Sequence, residues 1–186
     1  MAKVVNIVAS TRYADVLDVN TIADLLEIDF EQEQFPGMVY RITNPKVCVL
    51  LFRSGKAVVT GAKDVESIDF AFKKLRNDLL SHGFELWDEE DCESVLHNIV
   101  VTCDICEDMG IEKINLSKLM LALPFEKTEY EPEQFPGLIY RLPESGVVYL
   151  IFSSGKCVIT GSNTFEIAKE AEVEIKKQLT ELKKFL

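Results

Sequence analysis

Apolar and polar residues alternate along much of this 186-residue chain with a period of two, and each such stretch gives way to a longer one with helical spacing. In KAVVTG (56–61), Lys56, Val58 and Thr60 fall on one strand face, with Ala57 and Val59 on the other. In VCVLLF (47–52), Cys48, Leu50 and Phe52 share a face. The RSG between them (53–55) suits a three-residue hairpin with its glycine in the left-handed position, and SSG (153–155) repeats it. Beyond each hairpin, apolar residues recur every three or four positions: Val65, Ile68, Phe72, Leu75 and Leu79, then Phe165, Ala168, Ala171, Ile175, Leu179 and Leu182. Those runs predict two long amphipathic helices. Shorter helices fit 19–27 (Ile22, Leu25, Leu26) and 116–123 (Leu116, Leu119, Met120, Leu123), with Asp18 and Asn115 as N-caps.

The pattern is written twice. At an offset of 100, residues 31–61 and 131–161 share 17 identities without a gap, from Glu31 and Glu131 through to Gly61 and Gly161. Upstream, VVNIVAS (4–10) answers LHNIVVT (96–102) at an offset of 92, so the second copy carries eight extra residues, expected around CEDMGIEK. Two copies of about 90 residues are too long and too few for a solenoid, and read as a duplication into halves 1–90 and 91–186. Each half predicts a strand, a short helix, antiparallel strands and a long helix, with helices covering one sheet face. The other face carries Asn6, Val8, Leu50, Val58 and Thr60, matched by Asn98, Val100, Leu150, Val158 and Thr160. An apolar sheet face with nothing left to cover it marks a binding surface.

Composition narrows the setting. Hydrophobic residues at 47% and charged residues at 27% are ordinary for a globular protein. Asn6 interrupts the N-terminal apolar stretch and no run approaches the roughly 18 residues of a membrane span, so an intracellular, soluble protein without signal peptide is expected. Five cysteines at irregular spacing suit free thiols. The formal charge of −11 argues against a polyanionic partner until its distribution is read. Residues 34–63 hold five cations (Arg41, Lys46, Arg53, Lys56, Lys63) and no acid, which leaves the acidic excess to the rest of the surface.

NIVAS, EQFPGMVYR and LLFRSGKAVVTGAK, followed by NIVVT, YEPEQFPGLIYR and LIFSSGKCVITG, closely resemble the TATA-box-binding protein family, particularly its archaeal members. The resemblance covers nearly the whole chain. It implies an α+β fold: a duplicated saddle, one curved antiparallel sheet from two pseudo-symmetric halves with helices on the convex face. It implies a general transcription initiation factor, not an enzyme and without a cofactor, that binds A·T-rich TATA-box DNA in the minor groove. Family members kink the duplex by wedging phenylalanines between base steps; the matching positions are Phe35, Phe52, Phe135 and Phe152. A·T pairs offer only acceptors in the minor groove, whereas G·C adds an amino donor. Asn6, Asn98, Thr60 and Thr160 can donate to those acceptors, over a floor of Val8, Leu50, Val58, Val100, Leu150 and Val158. Phosphate anchors by the same match are Arg41, Lys56, Lys63, Arg141 and Lys156, and Glu131 and Glu133 fall where transcription factor B docks. Promoter DNA, transcription factor B and RNA polymerase are the implied partners, with a homodimer off DNA. The implied location is the archaeal cytoplasm and nucleoid, or the nucleus of a eukaryote.

The second half departs from the family pattern. Lys46, Arg53 and Lys63 become Gly146, Ser153 and Asn163, Glu144 is added, and His97 stands where glutamine is common. These changes leave open a divergent paralogue acting as a regulator. Cys103-Asp104-Ile105-Cys106 raises thiol oxidoreductase or zinc chemistry. A single CxxC supplies two of four zinc ligands, however, and no second pair stands among Cys48, Cys92, Cys157, His82 and His97. A duplicated small-ligand domain using the same sheet is the third reading; an enclosed pocket in place of an open face would favour it.

Overall fold

The structure is a computed structural model, and residues 2–183 are described. Among the described residues the chain divides into two compact units, Asn6–His97 and a second that joins residues 2–5 to 98–183.

In the first unit the order is β1 (Lys3–Arg12), α1 (Val19–Leu25), β2 (Gly37–Ile42), β3 (Val47–Phe52), β4 (Lys56–Ala62) and α2 (Val65–Ser81). The strands are antiparallel, in the order β2-β3-β4-β1. The alternation read from the sequence is the burial pattern observed: Val47, Val49 and Leu51 are buried, while Cys48, Leu50 and Phe52 are half-exposed. α2 packs over β3 and β4 through Ile68, Ala71, Phe72, Leu75 and Leu79. Its entry is fixed by Asp64, whose carboxylate accepts the Ser67 amide at 2.7 Å, and Asp18 caps α1 through Thr21. After α2 the chain folds back: the Trp87 amide donates to the Tyr13 carbonyl at 2.7 Å, and the Arg12 guanidinium lies 5.2 Å from the Trp87 ring centre.

In the second unit β5 (Val95–Asp104) leads to α3 (Ile105–Met109), α4 (Leu116–Ala122), β6 (Thr128–Glu129), β7 (Leu138–Leu142), β8 (Val147–Ile151), β9 (Lys156–Ser162) and α5 (Phe165–Glu181). The strand order is β5-β9-β8-β7-β6. α5 repeats α2, burying Ala168, Ala171, Ile175 and Leu179, and Thr164 caps it. Asn115 caps α4, as expected. Where the first unit joins β2 to β3 through a cis Asn44–Pro45 peptide, the second uses Gly146 at φ +73°.

The eight extra residues are not one insertion around CEDMGIEK. Equivalent backbone bonds locate them: Tyr13 to Gly55 matches Ile105 to Gly155, whereas Leu17 to Arg53 matches Ile114 to Ser153, and Gln34 to Glu31 matches Gln134 to Glu131. The offset thus steps from 92 to 97 and then to 100. Five residues build α3, and three build the segment containing β6. Neither was legible in the sequence, because five helical and two strand residues are too few to show a period. α3 is held by its contacts. Asp104 caps its start, the Lys176 ammonium lies 2.6 Å from Asp108 and 2.5 Å from Glu172, and Lys183 donates to the Met109 carbonyl at 2.8 Å.

Candidate nucleic-acid interface

The sheet face that the helices leave open carries the residues the sequence placed there. In the first unit Asn6, Val8, Leu50, Val58 and Thr60 are all half-exposed, and in the second so are Asn98, Val100, Leu150, Val158 and Thr160. The register of β1 against β4 shifts between Ile7 and Ala9, and that of β5 against β9 between Ile99 and Val101. Each shift is a bulge that frees one glycine amide from the ladder. The Gly61 amide donates to Asn6 Oδ1 at 2.7 Å, and the Gly161 amide to Asn98 Oδ1 at 2.8 Å. A backbone N–H can only donate, so the carboxamide oxygen faces it, which leaves the NH2 group of each asparagine as a donor. Asn98 Nδ2 also reaches Thr160 Oγ1 at 3.0 Å. Each unit therefore presents amide donors among aliphatic side chains.

Phe35 and Phe52 meet edge to face with ring centres 6.2 Å apart, and Phe135 and Phe152 repeat this at 5.7 Å. Both pairs stand on glycine. A Cβ on Gly37 would lie 2.8 Å from the Phe35 ring and 3.0 Å from Phe52, and one on Gly137 meets Phe135 and Phe152 at the same distances. This is why a Pro-Gly corner carries phenylalanine here: the glycine is the seat of both rings. The turn before it is held by the Glu31 carbonyl, which accepts the Gln34 and Phe35 amides, and by Glu131 in the second copy. Phe35 is 44% exposed, far from a core position. The glycine seats were missed in the sequence. The signal was there, since Gly37 stands directly opposite Phe52 once β2 and β3 are set in register.

The charges differ between the units more than the sequence suggested. Arg41, Lys56 and Lys63 are exposed, and among the described residues no carboxylate comes within salt-bridge distance of any of the five cations of residues 34–63. In the second unit Arg141 Nε lies 3.4 Å from Glu129, on the added strand β6, and Lys127 pairs with Glu144 at 2.8 Å. Lys156 stands opposite Asp104, where Lys56 stands opposite Arg12. Glu131 and Glu133 are exposed on the loop before β7. The CxxC motif is split, with Cys103 on β5 and Cys106 on α3. Among the described residues no group of three or more His, Cys, Asp or Glu side chains is placed to hold a metal ion. Nor is any described helix long and apolar enough to cross a membrane.

The family model for transcription factor TFIID, or TATA-binding protein, matches residues 1–82 and 93–185. The TATA-box-binding protein of Methanocaldococcus jannaschii is 47% identical over 97% of this chain and 93% of its own length. TATA-box-binding protein 1 of Haloferax volcanii is 44% identical over 95% and 90%. The solved structure of Methanococcus jannaschii TBP aligns over 97% of this chain and 98% of its own with a TM-score of 0.83 at 46% identity. The α+β fold expected from the sequence is thus the fold of that structure, and the resemblance belongs to transcription factors, not enzymes. The chain belongs to the TATA-binding protein family of transcription factors.

Proposed function

We propose that the protein binds TATA-box promoter DNA through the minor groove, kinks it by inserting its phenylalanine pairs, and recruits transcription factor B and RNA polymerase to start transcription. The observation that carries this reading is the doubled arrangement just described. An open sheet face offers amide donors among aliphatic side chains, and a phenylalanine pair stands on glycine at the Pro-Gly corner. The two repeats, 1–90 and 91–186, each supply one such floor and one such pair. Arg41, Lys56, Lys63, Arg141 and Lys156 neutralise phosphates, Glu131 and Glu133 receive transcription factor B, and the protein works on the nucleoid. Kinship with proteins named for TATA-box binding supports the choice of target.

Donors and methyl groups facing the bases select A·T pairs without telling A·T from T·A. Replacing central A·T pairs with G·C should cost about 1–3 kcal/mol per pair in a binding titration. Exchanging A·T for T·A should cost much less. Equal penalties for the two exchanges would contradict the reading.

Phosphate contacts release counterions, each changing the slope of log affinity against log salt by about 0.9. In the second unit Arg141 already has a carboxylate neighbour and Asn163 replaces a lysine. Removing Arg41 and Lys56 should therefore flatten the slope at least as much as removing Arg141 and Lys156. Asn163→Lys should tighten binding at moderate salt and steepen the slope by up to about one unit, leaving the A·T preference unchanged. A salt titration on one duplex measures both effects. An unchanged slope and affinity would show that position 163 does not face the backbone.

A further inference from the structure

The sequence pairs Cys103 with Cys106, but the fold gives Cys103 a different neighbour. Strand register sets Cys103 of β5 directly against Cys157 of β9, on the helix-covered side of the second unit. Cys106 lies on α3, over Gly155. Directly opposed residues of an antiparallel pair have Cα atoms about 4.5–5.5 Å apart, inside the roughly 4.4–6.8 Å window of a disulfide. The first repeat has no such pair, since its equivalent positions are Thr11 and Ala57, themselves opposed. The two thiols also differ in access. Cys103 is 5% exposed and Cys157 fully enclosed, so a small oxidant meets Cys103 first and Cys157 is screened from any bulky external thiol. The facing Cys157 thiol lowers the pKa of Cys103; burial opposes that shift, the Lys176 ammonium assists it, and the Glu172 and Asp108 carboxylates oppose it. Cys157 is shifted upward by the facing Cys103 and by burial, and remains a thiol.

We propose that Cys103 and Cys157 are a dithiol which a small peroxide oxidises to a disulfide joining β5 to β9. The Cys103 thiolate attacks one peroxide oxygen; an S–O bond forms, the O–O bond breaks, and hydroxide leaves to take up a proton. Cys157 sulfur then attacks the resulting sulfenic acid; the S–S bond forms, the S–O bond breaks, and water leaves with the Cys157 proton. The two thiols lose two electrons and hydrogen peroxide is reduced to two waters. This chemistry is independent of what the opposite sheet face binds.

The test treats the reduced, full-length protein with hydrogen peroxide, alkylates the remaining thiols under denaturing conditions, and maps the peptides by mass spectrometry. The expected result is alkylation of three of the five cysteines, a linked peptide pair containing Cys103 and Cys157, and recovery of all five thiols with dithiothreitol. A Cys103–Cys106 linkage, or five thiols still free, would overturn the proposal. Cys157→Ala removes the resolving thiol, so dimedone should then capture Cys103 as its sulfenic acid. Cys106→Ala should form the linkage as the wild type does. Capture at another cysteine in Cys157→Ala, or loss of the linkage in Cys106→Ala, would also overturn it, and the wild-type map depends on neither variant folding.

Discussion

A protein with Phe135→Ala and Phe152→Ala together should still bind a TATA-box duplex but no longer bend it at that end. The rings are half-exposed and rest against one another and Gly137, so their loss should leave the core intact. Each aromatic side chain can bury about 150–250 Å², but well over half of each of these rings is already covered, so together they gain at most about one ring's worth, roughly 4–6 kcal/mol at about 25 cal/mol per Å². Prying open a base step costs a few kcal/mol, so much of that gain is consumed and the net loss of affinity should be about 1–3 kcal/mol, roughly 5- to 150-fold. With the rings as the proposed wedge, the bend at that end should fall much further than the affinity does. Removing Arg141 and Lys156 should do the opposite, weakening binding in a salt-dependent way while leaving the bent complex bent. Energy transfer across a doubly labelled duplex, with circular dichroism as the control for folding, separates the two cases. A wild-type bend in the double phenylalanine variant would withdraw the wedge assignment.

The largest effect on stability is expected at Gly55, the hairpin glycine of the first repeat. It sits at φ +75° and its amide closes the turn on the Phe52 carbonyl at 2.9 Å. Its own carbonyl accepts the Tyr13 amide at 2.9 Å, tying the hairpin to the end of β1. A Cβ there would fall 2.7 Å from the Ala14 carbonyl carbon and 2.9 Å from its nitrogen, and nearer still to the oxygen. Backbone cannot rotate away as a side chain can, so the hairpin or β1 must move and that hydrogen bond must stretch. Gly55→Ala should cost about 3–5 kcal/mol, a large share of the roughly 5–15 kcal/mol that holds a typical domain. Gly83 is the control: it has φ +82° but nothing within 4 Å of a Cβ. Gly83→Ala therefore carries only the left-handed penalty, about 1–2 kcal/mol. Denaturant midpoints of the two variants measure the difference. Similar losses would mean that the Ala14 contact relaxes without cost.

What the sequence by itself determined follows from local periods and local caps. The alternation in VCVLLF and KAVVTG sorted buried from open positions correctly because side chains on a strand leave on alternate sides whatever the partner strand is. Asp18 and Asn115 were readable as caps because the amides they satisfy lie three residues away. Phe35, Phe52, Phe135 and Phe152 were singled out by the resemblance to the family, and the structure brings them together as two edge-to-face pairs. Tertiary structure alone decided the carboxamide of Asn6 turning its oxygen to Gly61, the seating of two rings on Gly37, and the Arg141 side chain drawn toward Glu129. It also decided that Cys103 faces Cys157 and not Cys106. Each of these depends on strand register, and register is set by bulges and turns that a period-two pattern does not reveal. A slip of one residue keeps the alternation and changes every partner.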